Sequence, residues 1–433
     1  MYPVPPAPTP PGQKEVKPNL VGVRNKQRKG VQKAQAKFEP QAFRDQLTKH
    51  LESVPPGDFD AVAQKLDVLG NQLDYRKYEQ QLFEVLLVGG LLAPGGGFID
   101  DGSAKSSFSV IGSAKEPVEA ADLKKIVDVF HKLMRRYKYL QKPFEETALR
   151  GILQYTNKFS PIDQEKLAVA TSQFVSTGLA SANVLVSLKK DHLVKDGSAV
   201  TFLTTFCKTY IASESVEHLC SSLRKGGVTD LEGYFPPSKQ NATELSAHFK
   251  SAGLEGVVAF YLKQKSGQAK EDTLARLKEF VAEEADYDEI LTYLEAIYKR
   301  AVLTEPEFIS IVWTGLMTSL DMTTKPELLP DLAIKEIQEV SPLLEPFCQK
   351  PATEVALINT IQIWCYENTK LMNTFPKILK VLYSTDVLSD QAIIYWHAKG
   401  AKTQGKQHFL NATTPLVNFL KEQEDSDEEE DDE

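Results

Sequence analysis

The sequence predicts an all-α protein, a HEAT-like α-solenoid in which antiparallel helical pairs stack on one another. From Phe38 onward the apolar residues are spaced mostly at the helical period of about 3.6 residues. Helix-start signals recur along the chain, whereas the period-two runs typical of strands are scarce. The chain has 433 residues, too many for one compact core, so two domains or a repeat array are expected.

Apolar stripes mark the clearest helices. They lie within Tyr75–Leu86, Leu274–Val281 and Tyr287–Ala301, and the last is a full helical face. The turn Asp196-Gly197 followed by TFLTTF is compatible with a β-hairpin. The spacing of apolar residues from Ala199 to Tyr210 also fits a helix that Ser198 starts, and we prefer that helix.

Several helix starts are predicted from N-terminal capping signals. Capping boxes are predicted at Asp286-x-x-Glu289 and Thr304-x-x-Glu307, and single N-caps at Thr353, Ser389 and Thr414, which Pro415 follows.

The glycine-rich segment GGLLAPGGG, Gly89 to Gly97, resembles a phosphate-binding loop only superficially. It lacks the terminal Gly-Lys-Ser/Thr of such a loop, and no strand precedes it. We interpret it as a helix stop at Gly89-Gly90 and a flexible connection that runs to about Glu116. A leucine zipper is not predicted, because Gln80 interrupts the heptads and glycines break the segment.

Charge is concentrated at the two ends of the chain. The net charge is −9, but residues 1–37 hold eight bases and one acid, and residues 422–433 hold ten acids and no base. Proline and basic residues predict a disordered basic arm over 1–37. We further predict an N-terminal helical repeat domain over 38–250, a C-terminal helical domain over 251–422 and an acidic tail over 423–433.

Several functional classes are excluded by composition. No apolar run reaches the roughly 20 residues of a membrane helix, and the proline-rich N-terminus does not resemble a signal peptide. The four cysteines are widely spaced and the seven histidines are scattered, so neither a disulfide framework nor a metal site is predicted. The sequence therefore predicts a cytoplasmic protein that is not an enzyme and that has no cofactor.

Two acidic-aromatic clusters near the C-terminus are the candidate binding residues. The first, in DVLSDQAIIYWHAKG, contributes Asp386, Asp390 and Trp396, and the second, in PLVNFLKEQEDSDEEEDDE, contributes Phe419, Glu422, Glu424 and Asp425. Acids that flank aromatic residues on consecutive helices predict a docking surface for a lysine-rich partner. Exposed ion pairs contribute only ~0–1 kcal/mol each, so many contacts are required and the affinity should fall with salt. Ser426, followed by three acids, is a candidate site for an acid-directed kinase.

The C-terminal region resembles the two-tryptophan (W-two, MIF4G-like) domain of translation factors, whose marks are two acidic-aromatic boxes at the end of a helical array. Here the boxes match DVLSDQAIIYW and VNFLKEQEDSDEEE, although Phe419 stands where the second box usually carries tryptophan. Together with FEPQAFRDQL and QLDYRKYEQQLFEVLLVGGLLAPGGG, they make residues 38–433 resemble the initiation-factor-five mimic proteins, also called basic leucine zipper and W-two domain proteins.

The resemblance implies a translation regulator without enzymatic activity. Such proteins bind lysine-rich segments of the beta subunit of initiation factor two and also bind initiation factor three, and so compete with initiation factor five. This competition limits assembly of the ribosomal preinitiation complex and raises the stringency of start-codon choice. Initiation factor five promotes GTP hydrolysis through a zinc-ribbon domain, and this sequence has no Cys-x-x-Cys pair for such a ribbon.

Two alternatives remain open on the sequence. A nucleic-acid-binding regulator could act through the basic arm at Arg24–Lys37, whose positive charges can pair with phosphates. The arm carries no interleaved aromatic residues before Phe38, so direct nucleic-acid binding is not the preferred prediction. An enzyme such as a GTPase activator is the third hypothesis.

Overall fold

The computed structural model describes residues 38–99, 105–113, 117–323 and 325–431, with side chains as far as residue 423. The predicted basic arm and parts of the connection before Glu116 lie outside these residues. Within the described ranges the chain is helical, and the one extended pairing is an isolated bridge between Leu92 and Phe98. The all-α prediction is confirmed. None of the described helices combines the length and the apolar character needed to cross a membrane.

The helices of the first half are short and closely spaced. They are Pro40–Leu51 (α1), Phe59–Leu69 (α2), Glu79–Val88 (α3), Val110–Ser113 (α4), Ala120–Arg136 (α5), Gln141–Pro143 (α6), Arg150–Leu153 (α7), Pro161–Ser176 (α8), Asp191–Lys195 (α9), Ser198–Ser213 (α10), Val216–Lys225 (α11) and Ala242–Ser251 (α12). A π-helical turn, Phe144–Leu149, joins α6 to α7, and 3-10 turns occupy Lys138–Leu140, Thr156–Lys158, Ala182–Leu188, Glu232–Tyr234 and Pro237–Lys239.

The second half contains longer helices. They are Glu255–Ala282 (α13), Tyr287–Lys299 (α14), Glu305–Leu316 (α15), Leu329–Leu344 (α16), Pro351–Glu367 (α17), Phe375–Ser384 (α18), Asp390–Tyr395 (α19) and Lys406–Asp431 (α20). A π-helical turn, Trp396–Gly400, follows α19, and 3-10 turns occupy Met317–Ser319, Glu345–Phe347 and Thr369–Thr374.

Helices pack on their second neighbours along the chain, as expected for stacked helical pairs. α8 packs on α10, α13 on α15, α15 on α17, and α18 on α20. Apolar stripes supply these contacts: on α14, for example, Ile290 and Leu294 are buried, while Tyr287 at the start of the same stripe stays partly exposed. Burial of such stripes provides the main favourable term in folding.

The predicted helix starts are partly confirmed. Thr304 and Glu307 form a complete capping box, Ser389 caps α19, and a helix runs from Ser198 as expected. Asp286 precedes α14 without a side-chain cap, so that capping box is wrong. The predicted caps at Thr353 and Thr414 are also wrong. α17 already begins at Pro351 and α20 at Lys406, which leaves Pro415 inside α20.

Two clusters of buried apolar side chains form the interior of the described chain. One extends along the sequence from Phe43 to Tyr261 and the other from Leu277 to Leu420. The helix α13 contributes to both, with Tyr261 in the first cluster and Leu277 in the second. The change of cluster within α13 lies C-terminal to the domain boundary that we predicted between residues 250 and 251, and that boundary stays a prediction.

Two ion pairs hold the polar middle of α13. Lys265 Nζ lies 2.6 Å from Glu232 Oε1 on the side of the first cluster. Lys270 Nζ lies 2.6 Å from Glu307 Oε1, in the capping box of α15 on the side of the second cluster. No residue between Tyr261 and Thr273 of α13 is buried, and the two ion pairs link this segment to its neighbours.

Candidate functional site

An acidic cleft of about 680 Å³ lies where the end of α16, the start of α17 and the turn between α18 and α19 meet. Four carboxylates line it, from Glu345, Glu354, Asp386 and Asp390, and no lysine, arginine or histidine is among its lining residues. Its other lining residues are Cys348, Gln349, Tyr383, Ser384, Val387, Leu388 and Ser389. Two of the carboxylates come from the first predicted box, and two were not predicted.

The turn that presents Asp386 is a Schellman motif at the C-terminus of α18. Val387 N–H donates to the carbonyl of Leu382 at 2.9 Å, and Asp386 N–H donates to that of Tyr383 at 3.2 Å. Asp386 itself adopts a left-handed conformation with φ of 58°, which aspartate tolerates better than most residues. The motif leaves the Asp386 side chain exposed at the rim of the cleft.

The N-terminus of α19 is fixed by a buried carboxylate from α17. Glu354 Oε2 accepts hydrogen bonds from Ser389 N–H at 2.5 Å and from Ser389 O–H at 2.7 Å. Ser389 Oγ in turn accepts from Ala392 N–H at 3.2 Å, which caps the helix. Asp390 follows in the first turn, where the helix dipole favours a negative charge.

Trp396 is completely buried in the second cluster. Its indole N–H donates to Asn359 Oδ1 of α17 at 3.2 Å, and its ring centroid lies 5.2 Å from that of Phe375 in α18. The side chain is therefore shielded from a partner. It can contribute to binding only by holding α17, α18 and the end of α19 together.

The second box lies on α20, next to the same region. Phe419 is 49% exposed, and Glu422 is exposed one turn further on the same helix. Tyr383, which lines the cleft, donates from its hydroxyl to Gln423 Oε1 of α20 at 3.5 Å. The structure thus places the two boxes side by side. The helix continues to Asp431, but the side chains of the predicted residues Glu424, Asp425 and Ser426 lie outside those described.

Cys348 is the cysteine among the lining residues of the cleft. Burial, with the nearby carboxylates of Glu354 and Glu345, raises the pKa of its thiol to about 12. The thiol is therefore protonated at neutral pH and unsuited to nucleophilic chemistry. The four carboxylates of the cleft can attract positively charged groups.

Sequence comparison identifies both halves of the chain. A family model described as the 5MP1/2 HEAT domain matches residues 25–271, and one described as eIF4-gamma/eIF5/eIF2-epsilon, W2, matches residues 353–430. The predicted HEAT-like solenoid ending in a W-two domain is confirmed.

Curated relatives match along almost the whole chain. Protein krasavietz of Drosophila melanogaster is 35% identical over 97% of this chain and 98% of its own length. The eIF5-mimic protein 2-B of Danio rerio is 35% identical over 96% of this chain and 98% of its own length. The eIF5-mimic protein 1 of Homo sapiens is 35% identical over 96% of this chain and 99% of its own length. These matches support a role in the regulation of translation initiation, and the chain belongs to the eIF5-mimic protein family.

Proposed function

We propose that this protein regulates translation initiation by binding, without catalysis, lysine-rich segments of the beta subunit of initiation factor two. By occupying these segments and by binding initiation factor three, it competes with initiation factor five and limits preinitiation-complex assembly. It thereby raises the stringency of start-codon choice. Family membership supports the general role, and the cluster of four carboxylates in the acidic cleft supports the basic partner.

The acidic cleft suits a lysine-rich segment on electrostatic grounds. Asp386 at the rim and Asp390 in the first turn of α19 are accessible, and the neighbouring Glu422 on α20 extends the negative surface. A cleft lined by one sign of charge attracts the opposite charge and speeds association. Individual exposed pairs contribute only ~0–1 kcal/mol, so binding should involve several lysines and weaken steeply with salt.

The half-exposed Phe419 adds an apolar contact beside these charges. Its ring offers a surface for the aliphatic stems of lysines, which pack on apolar groups while their ammonium groups stay hydrated. A phenylalanine has no N–H to donate, so the contact that we propose is apolar and cation–π in character.

Binding of a fluorescent lysine-rich peptide from the beta subunit tests the proposal. The variant Asp386→Lys/Asp390→Lys should bind about tenfold more weakly at low salt and show a smaller salt dependence. The matched control is Asp128→Lys/Glu165→Lys, which reverses two exposed acids on α5 and α8, outside the cleft.

Competition provides the second readout. Wild-type protein should displace initiation factor five from the same peptide, whereas the cleft variant should require a higher concentration. Equal affinity of cleft variant, control and wild type would show that the cleft does not hold the peptide.

A further inference from the structure

We propose that the segment between α19 and the first turn of α20 binds single-stranded nucleic acid. This segment, residues 397–408, reads HAKGAKTQGKQH, and we call it the basic loop. The structure describes the whole of it, side chains included. The proposal is independent of the acidic cleft, because it rests on other residues and on the opposite sign of charge.

Positive charge is concentrated in the basic loop. The 31 residues from Gln391 to Lys421 contain four lysines and no aspartate or glutamate, although acids outnumber bases in the chain as a whole. Three of these lysines, Lys399, Lys402 and Lys406, lie in the basic loop and are exposed. None of the three forms an ion pair with a residue in the described ranges. Their ammonium groups are therefore available to an anionic ligand.

The backbone of the basic loop is fixed by one buried side chain of α17. Gln362 is completely buried, and its Nε2 donates to the carbonyl of Lys402 at 2.9 Å and to that of Gln404 at 2.7 Å. Its Oε1 accepts from Lys402 N–H at 3.0 Å. The loop therefore has a defined conformation before a ligand arrives, which lowers the entropic cost of binding.

Two exposed tyrosine rings lie at the ends of the tract that Gln362 holds. A β-carbon built on Gly400 would lie 3.6 Å from Tyr395 Cδ1, and one built on Gly405 would lie 2.9 Å from Tyr366 Cδ2. Tyr395 is 55% exposed and Tyr366 is 45% exposed. These contacts place both rings against the same loop that carries the three lysines.

The loop runs beside α17 for about three helical turns. The β-carbon position of Gly400 lies 3.3 Å from Val355 Cγ1, whereas Gly405 lies against Tyr366, eleven residues further along α17. At a rise of 1.5 Å per residue, this separation is about 16 Å, enough for several nucleotides. α17 exposes one acid, Glu367, at the far end of this track, so the three lysines of the loop dominate its charge.

Lysines beside exposed aromatic rings favour a single strand over other polyanions. Rings that stack on bases, together with positive charge that follows the backbone, are the features by which proteins bind single strands. The N-terminus of α20, which begins at Lys406, adds the positive end of a helix dipole. A duplex keeps its base faces covered by stacking, and an acidic peptide would engage the lysines but not the rings.

Fluorescence anisotropy with a labelled 12-nucleotide oligouridine, on the full chain at low salt, tests the charge. Lys402→Gln/Lys406→Gln should weaken binding and flatten the slope of log affinity against log salt by about 1.4, because two phosphate contacts are lost. The matched control, Lys124→Gln/Lys208→Gln, removes two exposed lysines of α5 and α10 and should bind as wild type does.

Ring variants test the stacking. Tyr366→Leu and Tyr395→Leu keep an apolar side chain but remove the ring, and each should weaken binding about tenfold. Tyr139→Leu removes a 38% exposed ring in the first half of the chain and should leave the affinity unchanged. Thermal denaturation identifies any ring variant that loses affinity by unfolding, and the lysine variant, at exposed positions, then decides the test.

Competitors separate the class of ligand. Unlabelled oligouridine should displace the probe at a lower concentration than a duplex of the same length or polyglutamate. Asp386→Lys/Asp390→Lys should bind the oligouridine no more weakly than wild type does, which separates this proposal from the acidic cleft. The proposal is overturned if wild type does not bind, if the lysine variant and both ring variants bind as their controls do, or if polyglutamate displaces the probe as well as oligouridine does.

Discussion

Glu354 and Ser389, which are 35 residues apart in sequence, are joined by two hydrogen bonds to one carboxylate oxygen. Glu354 is buried in α17, and Ser389 caps α19, so the contact sets where the first acidic-aromatic box begins relative to the rest of the domain. Hydrogen bonds to a charged group are stronger than those between neutral groups. The two bonds therefore act as a positioning contact for the acidic cleft.

Glu354→Ala should remove this contact and leave the partly buried donors of Ser389 without their acceptor. We expect a loss of about 1–3 kcal/mol in the free energy of unfolding, measured by urea denaturation. Affinity for the lysine-rich peptide should also fall, because the start of α19 is no longer fixed. Glu367→Ala, an exposed position on the same helix, should change neither quantity measurably. Similar stability of both variants would contradict the role assigned to Glu354.

The two aromatic residues of the boxes should behave in opposite ways. Trp396→Phe leaves the buried Asn359 Oδ1 without its donor and opens a gap beside Phe375, which should cost about 1–3 kcal/mol of stability. Phe419→Leu, at a half-exposed site, should change stability by no more than about 0.5 kcal/mol but should weaken peptide binding. Denaturation and peptide titration on both variants provide the comparison. A stable Trp396→Phe variant would mean that the indole hydrogen bond adds little.

Sequence reasoning predicted only those residues of the cleft that lie close together along the chain. Asp386, Asp390 and the cap at Ser389 lie within one short segment, where turn and helix-start signals are readable. Glu345 and Glu354 reach the cleft only because α16 and α17 pack beside that segment, and nothing in their own neighbourhood marks them.

Tertiary packing also explains why the predicted start of α20, at Thr414, was wrong. A proline normally interrupts a helix, yet Pro415 lies inside α20 because Phe409, Val417 and Leu420 on either side are buried in the second cluster. Tyr75 follows α2 and Tyr137 follows α5, and the packing of these two distant helices in the same way brings the two rings edge-to-face at 5.6 Å.

The ion pair between Lys270 and Glu307 should make stability depend on pH. The hydrogen bond from Lys270, with those from Thr304, holds the pKa of Glu307 below its ordinary value of 4.5 in the folded protein. The folded state then binds fewer protons than the unfolded state, so this contribution is complete above pH 4.5 and is lost as the pH falls through the folded pKa.

Glu307→Gln should therefore be less stable than wild type at neutral pH, and the difference should shrink as the pH is lowered below about 4.5. Urea denaturation between pH 7 and pH 3 measures it, with Glu165→Gln on α8 as the exposed control. A difference that stays constant across this range would show that Glu307 stabilises α13 and α15 through packing rather than through its charge.

Gly89 is a glycine of the GGLLAPGGG segment on which the end of α3 depends directly. It ends α3 with φ of 77°, and a β-carbon there would lie 2.9 Å from the backbone nitrogen of Ser106. Gly89→Ala should cost about 1–3 kcal/mol of stability, because alanine disfavours this conformation and the neighbouring backbone must also shift. Gly97→Ala is the matched control, since its φ is not positive and a β-carbon there meets nothing within 4 Å. Thermal denaturation of the two variants tests whether the fold requires glycine at position 89. Equal stabilities would show that the end of α3 can rearrange to accommodate a side chain.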